Sequence, residues 1–100
     1  MTTKQNAKTV PYISKMLLET DRVKIYEVKL KPGEKNEIHC HPDYFIFNLT
    51  DNKLLTTDTS GKTHEREYKA EQSAFLKEQA HMAENIGDKE ARLLIVEMKS

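Results

Sequence analysis

Residues 39–54 read HCHPDYFIFNLTDNKL, and the reading of this stretch decides the fold. His39 and His41 stand two apart, the spacing at which side chains leave the same side of an extended strand. Their Cα atoms are then about 6.6 Å apart. From Asp43 to Thr50 the residues are aromatic and β-branched, which suits a pleated surface better than a helix. Thr50-Asp51-Asn52 follows as a turn signal.

The same period of two runs outward in both directions. Arg22 to Lys31 (RVKIYEVKLK) puts Tyr26, Val28 and Leu30 on one face, with Val23 and Ile25 on the other. Ala91 to Lys99 (ARLLIVEMK) is equally strand-like. Shorter candidates are Ile38 to His41, Lys53 to Asp58, His64 to Tyr68, Ser73 to Leu76 and Ala80 to Ile86. Further turns are expected at Lys31-Pro32-Gly33, Thr59-Ser60-Gly61-Lys62 and Asn85-Ile86-Gly87-Asp88. Ile13 to Glu19 is expected to form one amphipathic helical turn. About eight short strands joined by tight turns describe an all-β sandwich or barrel. The polar first nine residues are expected to fray or to lie across a partner as an arm, with 1–100 forming a single domain.

Composition narrows the function classes. One hundred residues hold one core and no second module. Sixteen Lys and Arg balance sixteen Asp and Glu, giving zero net charge with neutral histidine. A phosphate-tracking surface needs a basic excess, so no nucleic-acid partner is expected. No apolar run approaches the roughly twenty residues that span a bilayer, so no membrane partner is expected either. The opening MTTKQNAKTV lacks the apolar core of a secretory signal. The single cysteine, Cys40, excludes an internal disulfide and suits a cytoplasmic location.

The histidines carry the chemistry. Two imidazoles leaning together from His39 and His41 bring one nitrogen each to about 2 Å from a shared ion. His81, in another expected strand, is the candidate third ligand. Three protein ligands leave open positions for water, oxygen or substrate. A lone strand histidine is ordinarily a packed or surface residue, but a matched third histidine outweighs that reading here. His64, in the charged run KTHERE, reads as a surface residue, and Cys40 as a packing or interface residue pointing away from the pair.

Pro32-Gly33, five residues and then His39-Cys40-His41 resemble the first motif of the cupin superfamily. His81, three residues, then Asn85 and Ile86-Gly87 resemble the second. The resemblance spans Val23 to Met98 and is strongest to the small single-domain proteins typified by the β-alanine-degradation cupin. It implies a double-stranded β-helix, a jelly roll of two packed sheets. It also implies a divalent metal ion (iron, zinc, manganese or nickel) on His39, His41 and His81, and a homodimer. The sequence departs from the pattern where the first motif has its glutamate, since Phe45 stands there. Asn52 replaces a glycine, and Ala70, Leu76 and Glu78 replace the second motif's glycine, proline and glycine. The remaining neutral three-histidine face resembles that of thiol-dioxygenase and diketone-cleaving cupins.

Other residues are weaker candidates. Asp43 is the nearest alternative carboxylate, and Tyr26 and Tyr44 are the available acids. Phe45 and Phe47, sharing a face with Leu49, are expected to form an apolar floor beneath the histidines. Asn85 is placed in the pocket lining, with the turn into Gly87 as its other duty, and Glu97 is expected to be exposed. The leading expectation is a metal-dependent enzyme acting on a small anionic or carbonyl-bearing molecule. It would be dioxygenase-like with Fe(II), or an isomerase or lyase with a Lewis-acid ion. The alternative from a different class is a cupin that binds a metal or small ligand without turnover.

Overall fold

The computed structural model describes residues 8–77 and 79–99, apart from the side chains of His41 and Gln79. Among these residues there are eleven strands and no helix. The first five are β1 (Lys8–Val10), β2 (Lys15–Glu19), β3 (Val23–Leu30), β4 (Glu34–Asn36) and β5 (His39–His41). The rest are β6 (Tyr44–Asn48), β7 (Asn52–Asp58), β8 (Thr63–Tyr68), β9 (Ser73–Leu76), β10 (Gln79–Asn85) and β11 (Ala91–Met98).

Two sheets face each other. One runs β1-β4-β10-β7-β8, with β5 also paired to β10, and the other runs β2-β3-β11-β6-β9. Among the described residues only β1 with β4 is a parallel pairing. From β6 onward the chain passes repeatedly from one sheet to the other, which is the winding of a jelly roll. The backbone of the second sheet is the full-length ladder of β3 with β11, from Ala91 opposite Leu30 to Met98 opposite Val23. Alternation along these strands sends Tyr26, Val28, Leu30, Leu93 and Ile95 inward, where they cluster with Leu54 of the first sheet. Each buried large aliphatic chain contributes about 1.5–3 kcal/mol.

The turns are built from the residues that turn chemistry asks for. Gly33 and Gly61 adopt positive φ, 83° and 90°, which costs glycine nothing. Asn85 is buried at the β10–β11 turn. Its Nδ2 donates to the carbonyls of Leu30 and Lys89, both at 2.8 Å, and its Oδ1 accepts from the Gly87 amide at 2.8 Å. Asn85 is not among the cavity walls, and its polar atoms brace the turn through Gly87 and Lys89 and tie it to the end of β3 through Leu30.

Two other expectations meet the structure here. Ile13 to Glu19 holds no helical turn, since β2 occupies Lys15–Glu19 and pairs with β3. Met16, Leu17 and Leu18 are consecutive and all exposed, so there is no buried helical face to select. The ladder to β3 supplies backbone partners that an isolated helical turn lacks. The expected arm over 1–9 falls mostly outside the described residues, and its last two, Lys8 and Thr9, lie in β1 against β4.

Candidate metal centre

The site begins with a register. β5 and β10 are antiparallel, with His39 directly opposite His81 and His41 opposite Gln79. Residues directly opposite each other project on one side of the sheet, so the His39 and His81 rings meet. Their centroids are 4.8 Å apart and the planes are nearly perpendicular, at 85°. Two imidazoles sharing one ion at a metal–nitrogen distance of about 2 Å have ring centres about 5 Å apart. The imidazole of His41 lies outside the described residues. Among the described residues, no three His, Cys, Asp or Glu side chains come together as a ligand set.

The orientation of His39 is held from two sides. Its Nδ1 lies 2.8 Å from the Glu37 carbonyl oxygen. A carbonyl only accepts, so Nδ1 carries the proton and Nε2 keeps its lone pair, the tautomer that metal-ligating histidines use. Burial lowers the His39 pKa, against the Glu37 carbonyl and the charge of Glu97, so the ring is neutral at neutral pH. Tyr12 stacks on the same ring with centroids 3.5 Å apart and planes 12° from parallel.

Behind that stack runs a buried polar chain. The Tyr12 and Tyr26 hydroxyls are 2.9 Å apart, and Tyr26 is also hydrogen-bonded to the Glu97 carboxylate. A phenol has one proton and a carboxylate has none to give. Tyr26 therefore donates to Glu97 and accepts from Tyr12. Burial above all pushes both phenols far above their ordinary range, so both keep their protons at neutral pH. Tyr26 is thus committed inside this chain and is not an open acid at the site. Glu97 is buried, at 9 % exposure, which corrects the expectation of an exposed residue. It shares the inward face of Leu93 and Ile95, and Tyr26 makes that position tolerable for a charge.

A cavity of about 40 Å³ opens against the histidine pair, with room for about three waters. His39, His81, Tyr44, Ile46, Leu93 and Arg66 are among its walls. The Tyr44 ring stands 6.5 Å from that of His81. Burial raises the pKa of its hydroxyl, against the opposing charge of Arg66, so Tyr44 is a proton-bearing hydroxyl on the cavity wall.

Two of the expected floor residues are elsewhere. Phe45 and Phe47 are 44 % and 36 % exposed on the outer face, while Tyr44 and Ile46 point in. β6 alternates as expected, but with Tyr44, Ile46 and Asn48 on the inward side. The place of the first-motif glutamate therefore faces outward, and the inward group beside it is Tyr44. Asp43 is half-buried at the β5–β6 bend, where its carbonyl accepts from the Met98 amide at 2.9 Å, and it is outside the cavity walls. Cys40 is exposed. Three residues of the site were not singled out from the sequence as part of it: Tyr12, Glu97 and Arg66. The period of two in His64-Glu65-Arg66-Glu67-Tyr68 is a signal that could have found Arg66, since it sets Arg66 and Tyr68 on one face.

No family model and no curated protein matches the chain. Solved structures do. A cupin domain from Bordetella pertussis Tohama I superimposes with TM-score 0.83 at 25% identity, over 93% of this chain and 98% of that one. An RmlC-like cupin family protein with a double-stranded β-helix fold, from Methanocaldococcus jannaschii, gives TM-score 0.69 at 18% identity, over 85% of this chain and 77% of that one. Bacillus subtilis oxalate decarboxylase, a protein with Mn(II) centres, gives TM-score 0.60 at 21% identity, over 78% of this chain and 22% of that one.

Proposed function

We propose that this chain, a small single-domain cupin with the double-stranded β-helix fold, holds a divalent metal ion on His39, His41 and His81 and acts on a small anionic or carbonyl-bearing molecule. The observation that carries the reading is the cross-strand pair of His39 and His81. Their rings are spaced for a shared ion, and the Glu37 carbonyl sets the tautomer of His39. His41, one pleat repeat along β5, is the proposed third ligand.

Iron, zinc, manganese or nickel bound there would supply Lewis-acid chemistry, and iron could also supply redox chemistry with oxygen. The chain's own residues do the remainder. His39 presents a neutral nitrogen, and an ion held by imidazoles alone would keep its full charge and attract anions. Tyr12 and the Glu37 carbonyl hold the His39 plane. Ile46 and Leu93 exclude water from the wall, and Tyr44 offers a hydroxyl proton beside His81. A homodimer in the cytoplasm is part of the same reading.

The test is elemental analysis of protein purified without added metal, beside a His81→Ala variant. Stoichiometric metal in the first that is lost in the second supports the reading, and metal in neither overturns it. Oxygen uptake with thiols, diketones and small keto acids then separates an iron oxygenase from a Lewis-acid enzyme. The second reading, binding without turnover, draws on the small size of the cavity. Bound metal with no turnover of any such compound would favour it.

A further inference from the structure

Arg66 is the residue of the cavity that the metal reading leaves without a task. It lies on β8, two strands from His81 across the sheet, opposite the core residue Leu54. Alternation exposes Glu65 and Glu67 and turns Arg66 toward the interior, where it is half-buried and lines the same cavity as His39, His81 and Tyr44. Among the described residues the Arg66 side chain makes no hydrogen bond or ion pair, while its backbone belongs to the β7–β8 ladder. Arg92, the other arginine in a strand, is exposed and paired with Glu27, with Nε 2.7 Å from Oε2. A guanidinium beside apolar walls loses water from its donors and gains most from a planar two-oxygen acceptor.

We propose that Arg66 is the anion-recognition residue of the cavity and that the ligand is a small carboxylate, held by its carboxyl group at Arg66 with its other end toward the histidine pair. This rests on the metal-site reading for where the reacting end lies, but not for the binding of the carboxylate itself. Tyr44 stands between the two ends. Its ring neighbours His81 and its hydroxyl feels the charge of Arg66, so it is placed to donate a hydrogen bond to a ligand oxygen. The cavity is small, which favours a short-chain ligand. The guanidinium fork pairs with carboxylate and phosphate alike, and the carboxylate, smaller and less charged, suits a cavity with mostly apolar walls better.

Calorimetric titration of metal-free and Zn²⁺-loaded protein with acetate, malonate, neutral malonamide and inorganic phosphate tests this, in the wild type and in Arg66→Met and Arg66→Lys. The carboxylates should bind metal-free wild type and weaken at least tenfold in Arg66→Met. Arg66→Lys should fall between, because it keeps the charge and loses the fork. Zn²⁺ affinity should stay the same in all three proteins, since Arg66 is not a ligand. Equal carboxylate binding by wild type and Arg66→Met would overturn the proposal, as would binding of malonamide or phosphate as tight as that of malonate. No carboxylate binding to the metal-free wild type at millimolar concentration would overturn it too. Arg66→Lys guards against a folding defect in the methionine variant. Carboxylate binding without any Zn²⁺ binding would sink the metal reading and leave Arg66 standing, and the reverse would do the opposite.

Discussion

His39 is fixed by contacts that differ in kind, and each has a consequence. The Glu37 carbonyl sets which nitrogen bears the proton, and the Tyr12 ring sets the plane. Burial sets the charge by holding the pKa below its ordinary value. A histidine whose folded pKa is depressed binds fewer protons when folded than when unfolded. Stability is therefore fully present above the unfolded value of about 6.5 and is lost as pH falls through it toward the lower folded pKa. Denaturant midpoints of the metal-free protein should decline as pH falls from 7 toward 5. A His39→Asn variant, which keeps a donor for the Glu37 carbonyl but does not titrate, should show a shallower decline. Equal slopes would mean that His39 is not the group responsible. Glu97 is held differently, its buried carboxyl group hydrogen-bonded by the Tyr26 hydroxyl.

Strand β6 illustrates what alternation decides. Tyr44 and Ile46 face the core and Phe45 and Phe47 face out, although the phenylalanines are the more apolar pair. Hydrophobicity alone favours the phenylalanines for the interior. The register with β11, which sets Ile46 beside Ile95 and Phe45 beside Val96, places them outside instead. The two readings predict opposite mutational outcomes. Ile46→Ala should cost about 2–5 kcal/mol of unfolding free energy through the cavity it leaves. Phe45→Ala should cost well under 1 kcal/mol in a monomer, as befits an exposed site. Urea unfolding at low protein concentration measures both, and a reversed order would show that β6 has the other face inward. The Asn85 staple acts in the same way at a turn. It ties the end of β3 to the loop that launches β11, so the two longest paired strands start in register.

The outer surface of the second sheet has a continuous apolar row that crosses all five of its strands. Leu18 pairs with Ile25, Ile25 with Val96, Val96 with Phe45 and Phe45 with Phe75. Leu18, Phe45 and Phe75 are 49 %, 44 % and 47 % exposed, and the Phe45 and Phe75 rings lie 5.0 Å apart. The row is roughly 20 Å long across the five strands, and the neighbouring row mixes Leu94 and Phe47 with Lys15, Glu27 and Ser73, an apolar stripe with a polar border. The zero net charge puts no long-range repulsion between copies. The proposed homodimer is expected to use this face. Light scattering should give a dimer mass for the wild type and a monomer mass for Phe45→Lys with Phe75→Lys, with unchanged circular dichroism. A dimer that survives the double substitution would place the interface elsewhere.

Much of this molecule is readable along one strand at a time. The period of two and the turn clusters are local facts, and they carried the all-β class and most of the strands. The pairing of His39 with His81 joins residues 42 apart in the chain, and it follows from the register of β5 on β10. Tyr12, Glu97 and Arg66 belong to the same cavity region only because the winding of two sheets brings a loop, a late strand and an edge strand together. Alternation defines two faces of every strand and leaves open which one is buried. That choice belongs to the opposing sheet, whose side chains supply the partners that make one face cheaper to bury than the other.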